Sequence, residues 1–429
     1  MEVLRPTALP AVLLLLLWPA FMLLPARHAR AFFVVSGLGL VTFVGGPWLA
    51  GGLLLAMLAG YGLVEAIAGQ TRHRKTLYIA GLVLLHAVYW SCFHLPLPDI
   101  FQGEGIRAAD RAGLFVLFSG IGLTFFRLLS YYHDRIRRGN ERVSLRDYLA
   151  YMFFFSQLRH GPIERCGPFA AKLRQSRDNW QPRDLGSGLL RVGWAFVALL
   201  ATVRCIEHFA RHNNGGNLAP LDAFANPEQL SAGQLLLLVH LPGLLLYILE
   251  SSFAHLQLGV SRVFGVTGTE NYNYPLLATT PRKFWQRWNI TLYAWLLDYA
   301  FKPLGGARRR CGLNITLTFV YCGLLHGLQL RCLLWGLWTG GTLALGVWVT
   351  RRLKLGRRRR SVTPNEGADR HMRQTDALNR HVLGMLGRLL TFEWLCIGLM
   401  ILLDPDYCGL RILRRYTEFW LSTLFPLGG

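Results

Sequence analysis

Apolar runs of membrane length recur along the whole chain, parted by short polar stretches. The pattern predicts spans at 9–25, 76–95, 112–132, 187–209, 233–253, 312–326, 328–349, 384–403 and 411–426. The stretch 31–69 reads as a hairpin of two more, with Gly45–Gly46 and Gly51–Gly52 near its turn. A short aromatic segment, 286–301, reads as re-entrant. The fold expected is all-α and polytopic, with about eleven transmembrane or re-entrant helices around a central cavity. The runs are continuous rather than alternating, which argues against a closed β-barrel. The first span lacks a small-residue cleavage site before Arg27 and reads as a retained signal-anchor. Residues 97–111 read as an amphipathic connection at the interface, and 159–185 as a basic, proline-bearing stretch along the membrane face.

One run does not fit a single span. From Gly312 to Thr350 the only ionisable groups of note are His326 and Arg331. As one helix it would reach about 58 Å at 1.5 Å per residue, against a hydrocarbon core of about 30 Å. Two spans broken at His326–Gly327 fit better, because glycine tolerates irregular backbone. An ionisable group costs about 2.5–3.5 kcal/mol in hydrocarbon on insertion scales, so His326 is a functional candidate. At such a break it can face a protein-lined or watery cavity, where irregular backbone survives at membrane depth.

Composition agrees with the pattern, since 52% of the 429 residues are hydrophobic. The net charge of +22 suggests nucleic acid until its distribution is considered. The cations cluster between apolar runs, at Arg72–Lys75, Arg135–Arg142, Arg308–Arg310 and Arg351–Arg360. Such clusters orient helices and attract anionic lipid, so membrane lipids and not nucleic acid are the expected contacts. The longest polar stretch, 351–383, carries ten Arg/Lys against three acids and reads as a solvated cytoplasmic loop. The eight cysteines show no C-x-x-C pair and no zinc spacing, so neither metal nor disulfide framework is expected. No soluble domain is apparent, and 1–429 reads as one membrane-embedded domain.

The most informative residues lie in 271–340, where NYNYPLLATTPRKFWQRWNITLYAWLLDYAFKPLGG is followed by GLNITLTFVYCGLLHGLQLRCLLWGLWTG. This region resembles the membrane-bound O-acyltransferase family. An FW-x-RW-x-x-[ST]-L element falls on Phe284, Trp285, Arg287, Trp288, Thr291 and Leu292, and a WHG-like element falls on His326. Upstream, GLTFFRLLSYYHD (122–134) and FFFSQLRHGPIER (153–165) are similar to the family's ISFYTFQALSYLID and FFPQLIAGPI stretches. The likeness covers roughly 122–340, in family order, and is closest to the bacterial branch of alginate O-acetylation and teichoic-acid D-alanylation proteins. Two positions depart from it. Leu325 stands where the family has Trp, and Asn289 stands where that branch has a second histidine, as in the eukaryotic lipid- and sterol-acylating branches.

The resemblance implies O-acyl transfer with His326 as the catalytic residue. Chemistry agrees. The hydroxyl attacking a thioester must lose a proton, which imidazole can take at neutral pH, and the tetrahedral oxyanion needs a donor. Asn289 can supply an amide N–H, a contact worth about 3–4 kcal/mol, or simply cap a helix. Arg282, Lys283, Arg287, Trp285 and Trp288 suit a phosphate- and adenine-bearing donor such as acetyl-CoA or another acyl thioester, and equally suit an interfacial anchor. Asp298, the only acid between Asn271 and Thr350, is expected to pair with Arg287 or Lys302. His160 and Glu164 read as a turn rather than an acid/base pair, and His240 and His255 as satisfied core histidines. Asn314-x-Thr316 matches a glycosylation acceptor at a membrane edge.

The function expected is therefore a multi-pass O-acyltransferase of a bacterial inner membrane, with no bound cofactor. It would move an acetyl group to an envelope polysaccharide or to an extracytoplasmic acyltransferase partner. Asn289 keeps a lipid or sterol acceptor open. A transporter or channel lined by His326 and Arg331 is the reading from another class.

Overall fold

The computed structural model describes residues 5–92, 121–158, 161–212, 230–358, 369–403 and 408–424; among them the chain is helical and contains no strand. Five helical stretches are long and apolar enough to cross a membrane: Gly46–Ala68, Pro182–His208, Ala232–Val263, Leu330–Arg352 and His381–Leu402. Shorter apolar helices occupy Ala11–Leu23, Ile290–Phe301 and Cys311–Leu324. The connection expected at 97–111 lies outside the described residues.

Two compact units share the chain: Met1–Val203 with Leu249–Asn271, and Arg204–Ile248 with Tyr272–Gly429. The first holds α1 (Arg5–Leu16), α2 (Trp18–Leu23), α3 (Ala29–Ala68), α4 (Arg74–Ser91), α5 (Ile121–Ile136), α6 (Leu145–Met152), α7 (Cys166–Gln175) and most of α8 (Pro182–His212). It also takes the second half of α9 (Ala232–Val263). The hairpin expected within 31–69 turns out as two helical segments meeting at Gly46, whose φ of +80° and ψ of 168° leave the helical region. Pro47 follows, lacking the N–H an unbroken helix would use. Gly51 and Gly52 lie inside the second segment.

Phenylalanines fill the core of this unit, with Phe264 within 5.0–5.8 Å of Phe21, Phe32 and Phe155. Arg127 on α5 is fully buried there; it donates to the carbonyls of Tyr151 and Met152 and to Gln157 Oε1 at 2.9–3.4 Å. Its guanidinium thus ties the end of α6 to Gln157 in the short turn that follows. Some cations at helix ends are paired, including Arg30 with Asp147 (3.0 Å) and Arg135 with Glu65 (3.1 Å). Burial pushes the Cys166 thiol well above its ordinary range, as suits a cysteine acting as a small hydrophobe.

The second unit holds the first half of α9, α10 (Pro281–Trp285), α11 (Ile290–Leu296), α12 (Cys311–Leu324), α13 (Leu330–Arg358), α14 (Asp369–Leu403) and α15 (Cys408–Leu424). The break expected in the 312–350 run is present, and α12 and α13 pack antiparallel around it. Their backbones nearly touch. A Cβ at Gly323 would lie 2.2 Å from Cys332 O, one at Gly336 2.6 Å from Phe319 O, and one at Gly340 2.6 Å from Thr316 Cα. Without a hydrophobic drive between helices in lipid, such small residues let dispersion join them. The basic stretch 351–383 differs from the solvated loop expected, for α13 runs on through Arg358 and α14 begins at Asp369. Arginine, lysine, leucine and alanine favour helix whatever their charge; residues 359–368 lie outside the described residues.

Candidate active site

His326 sits where α12 runs out. The last turn tightens, with the His326 N–H donating to Gly323 O (2.9 Å) and that of Gly327 to Leu324 O (3.2 Å). Gly327 then takes φ +150°, a value that side-chain-bearing residues avoid. The chain recovers at Gln329, whose carbonyl accepts from Cys332 N at 3.1 Å and Leu333 N at 3.2 Å. Arg331 Nε donates to Gln329 Oε1 at 2.5 Å, bracing the restart. The His326 side chain is exposed at this break. Its ring nitrogens have no hydrogen-bond partner among the described residues.

The FW-x-RW element is built just as locally. Thr280 caps α10, its hydroxyl accepting from Lys283 N at 3.2 Å, and Pro281 takes the first helical position. The helix lasts one turn and buries Phe284 and Trp285. Trp288 stacks on Phe284 at 5.4 Å. Asn289 follows in the left-handed region (φ +41°, ψ 56°) at the N-cap position of α11, but its side chain makes no capping bond. Of the two roles expected for it, ordinary capping is therefore not what the amide does.

A continuous run of rings joins this element to His326. Trp285 meets Trp335 at 6.0 Å and 75°, and Trp335 meets the His326 imidazole at 5.7 Å and 82°. Phe319 lies 5.0 Å from Trp285, Trp394 lies 5.9 Å from Phe284, and Tyr272 closes the far end 5.2 Å from Trp288. Trp285 is thus enclosed by protein rings, which leaves no open face for an adenine to stack on. The cations stand further out. Arg282 and Lys283 are exposed, with Lys283 Nζ donating to Thr279 Oγ1 at 3.0 Å, and Arg287 is half-buried. Asp298 pairs with Lys302 at 2.6 Å, one of its two expected partners, on a π-turn (Leu297–Phe301) that continues α11.

The PLGG turn beyond it uses positive φ at Gly305 (+106°) and Gly306 (+59°). Buried Asn314 holds it, donating to Gly306 O at 2.9 Å and Arg309 O at 2.8 Å. That occupied amide is no open glycosylation acceptor. His240 is satisfied as expected, between Leu236 O and Glu393 Oε1, both at 2.7 Å, with Tyr416 reaching Glu393 at 3.1–3.2 Å. His255 is not, for its Nδ1 is buried without a partner among the described residues. His160 lies outside the described residues, and Glu164 accepts from Thr269 N at 2.8 Å. Sequence reasoning passed over Trp335, Trp394 and Tyr272. Trp335 was signalled only by its place in LLWG, Tyr272 only by the aromatic NYNY run, and Trp394 not at all.

A family model for the membrane-bound O-acyltransferase family matches residues 70–361. Among individual proteins, the chain is 28% identical over 324 residues to the probable alginate O-acetylase AlgI of Pseudomonas fluorescens, covering 72% of this chain and 61% of that one. It is 26% identical over 203 residues to the peptidoglycan O-acetyltransferase of Helicobacter pylori (46% of this chain, 37% of that one). Against the teichoic acid D-alanyltransferase of Bacillus subtilis it is 23% identical over 211 residues (46% and 50%). The matches thus span about two fifths to three fifths of these relatives' lengths.

Proposed function

The chain belongs to the membrane-bound O-acyltransferase family, and from that premise we propose that it transfers an acyl group, acetyl in the first instance, from a thioester to a hydroxyl of a cell-envelope polymer. The observation that carries the reading is the setting of His326: an exposed imidazole at an unwound helix end, with ring nitrogens that have no hydrogen-bond partner among the described residues. An acceptor hydroxyl donates to one of them and, as the proton moves, its oxygen attacks the thioester carbonyl. The Asn289 amide N–H donates to the oxyanion. Collapse expels the thiolate, which takes the proton back from the imidazolium, so ester and thiol are the products. Arg282, Lys283 and Arg287 offer charge-assisted bonds to the phosphates of a donor such as acetyl-CoA. Trp285 and Trp288 serve this donor site from behind, as its aromatic support, with Asp298 fixing Lys302 beside it.

The relatives' names, alginate, peptidoglycan and teichoic acid, support an envelope polymer as acceptor class. All three come from bacteria, which supports a bacterial inner membrane as the location. A separate extracytoplasmic transferase that receives the acyl group is part of the proposal. The test is label transfer from radiolabelled acetyl-CoA in membranes carrying the wild-type chain, His326→Ala or Asn289→Ala. Wild type should label an envelope fraction, and His326→Ala should lose about a hundredfold or more while staying folded. Label in extracted lipid instead would move the acceptor to a lipid. Equal labelling by His326→Ala would overturn the mechanism.

A further inference from the structure

We infer that Trp335 is the positioning residue for the His326 imidazole, doing by ring packing what a carboxylate or carbonyl does for other catalytic histidines. The inference rests on His326 being the base. A base must present one chosen nitrogen to the hydroxyl, yet the imidazole torsion is broad and roughly two-fold. Sites that use a histidine base commonly orient it with a third group bonded to the other ring nitrogen. Here no such group exists among the described residues, because neither ring nitrogen is bonded. The backbone at His326 is held by its bond to Gly323 O, so the ring is what is left to fix.

What the ring does meet is Trp335, edge-to-face at 5.7 Å and 82°. Such geometry is the favoured one for rings and depends on angle, so it selects an orientation as well as a distance. Trp335 is itself immobile. It is buried, Trp285 abuts it at 6.0 Å, and its chain neighbour Gly336 lies against the Phe319 and Val320 backbone. The wall is therefore as rigid as the α12–α13 hairpin. It also gives the FW-x-RW element a part at the histidine, since Trp285 buttresses the ring that orients His326.

The experiment uses the full chain in detergent, with histidine carrying 13C at Cε1 and the His326 resonance assigned by its loss in His326→Gln. In the wild type this resonance should be displaced by the indole ring current. Trp335→Met, which removes the ring and leaves a flexible apolar chain in part of its volume, should return it to the position of a free histidine, and Trp335→Phe should keep part of the displacement. In parallel, turnover of radiolabelled acetyl-CoA should fall about tenfold in kcat for Trp335→Met, with donor KM unchanged within about twofold, and recover for Trp335→Phe. A wild-type His326 resonance at the ordinary position would overturn the inference even if neither Trp335 variant folded. So would a displacement or kcat unaffected by Trp335→Met. If His326→Gln keeps full turnover, it is the reading of His326 as base that fails, and the resonance still decides whether Trp335 orients the ring.

Discussion

Replacing Gly336 by alanine adds one methyl where two backbones touch. The new Cβ would lie 2.6 Å from both Phe319 O and Val320 Cα, whereas ordinary contact begins at 3.4 Å. Neither neighbour can rotate away, because both are main chain. The hairpin must open by about 0.8 Å, an overpacking that costs about 1–3 kcal/mol. Alanine's better helix propensity offsets about 1 kcal/mol of that. The larger effect is kinetic. A misplacement near 1 Å can cost about a hundredfold in rate, and His326 hangs from the end of α12 while Trp335 precedes Gly336 on α13. Turnover of radiolabelled acetyl-CoA should therefore drop about tenfold to a hundredfold with donor KM little changed. Gly341→Ala is the matched control, since nothing lies within 4 Å of its Cβ; it should gain about 0.5–1 kcal/mol of stability and keep full turnover. Both variants would be followed by thermal unfolding in detergent alongside the transfer assay. If Gly336→Ala matches Gly341→Ala in both, close packing of the hairpin does not set the histidine.

Asn289→Gly should leave thermal stability within a few tenths of a kcal/mol, because glycine accepts the left-handed backbone, while Asn289→Ala should lose about 1 kcal/mol; equal loss of turnover in both would assign the effect to the amide. Asn314→Ala should cost about 1–3 kcal/mol by removing the donor to the Gly306 and Arg309 carbonyls, read as a lower unfolding temperature. Arg127→Met should destabilise by about 3 kcal/mol, since the Tyr151 and Met152 carbonyls and Gln157 lose their donors. Arg127→Lys should recover only part, because a point charge cannot reproduce the guanidinium fork.

The break at His326 was legible because length and charge alone forbid one straight span from Gly312 to Thr350. The FW-x-RW element was legible as a motif, but not the fate of its rings. Tryptophan is equally at home at a membrane interface and in a core, and only the neighbours Phe319 and Trp335 decide for Trp285. The same limit hid Trp394, whose partners lie far away in sequence. Charge counting misled at 351–383, since it measures solvation and says little about helix propensity. Gly336 and Gly341 look alike as letters, yet one abuts a backbone and the other open space.

His240 on α9 is held at both ring nitrogens, against Leu236 O and against Glu393 Oε1 on α14, each at 2.7 Å. Tyr416 on α15 reaches the same carboxylate at 3.1–3.2 Å. Hydrocarbon offers no water to exchange for such bonds. A glycine seam like that of α12 and α13 sets how near two helices come, whereas a directional bond also sets how each is turned about its own axis. Three helices are thus keyed in rotation by one carboxylate.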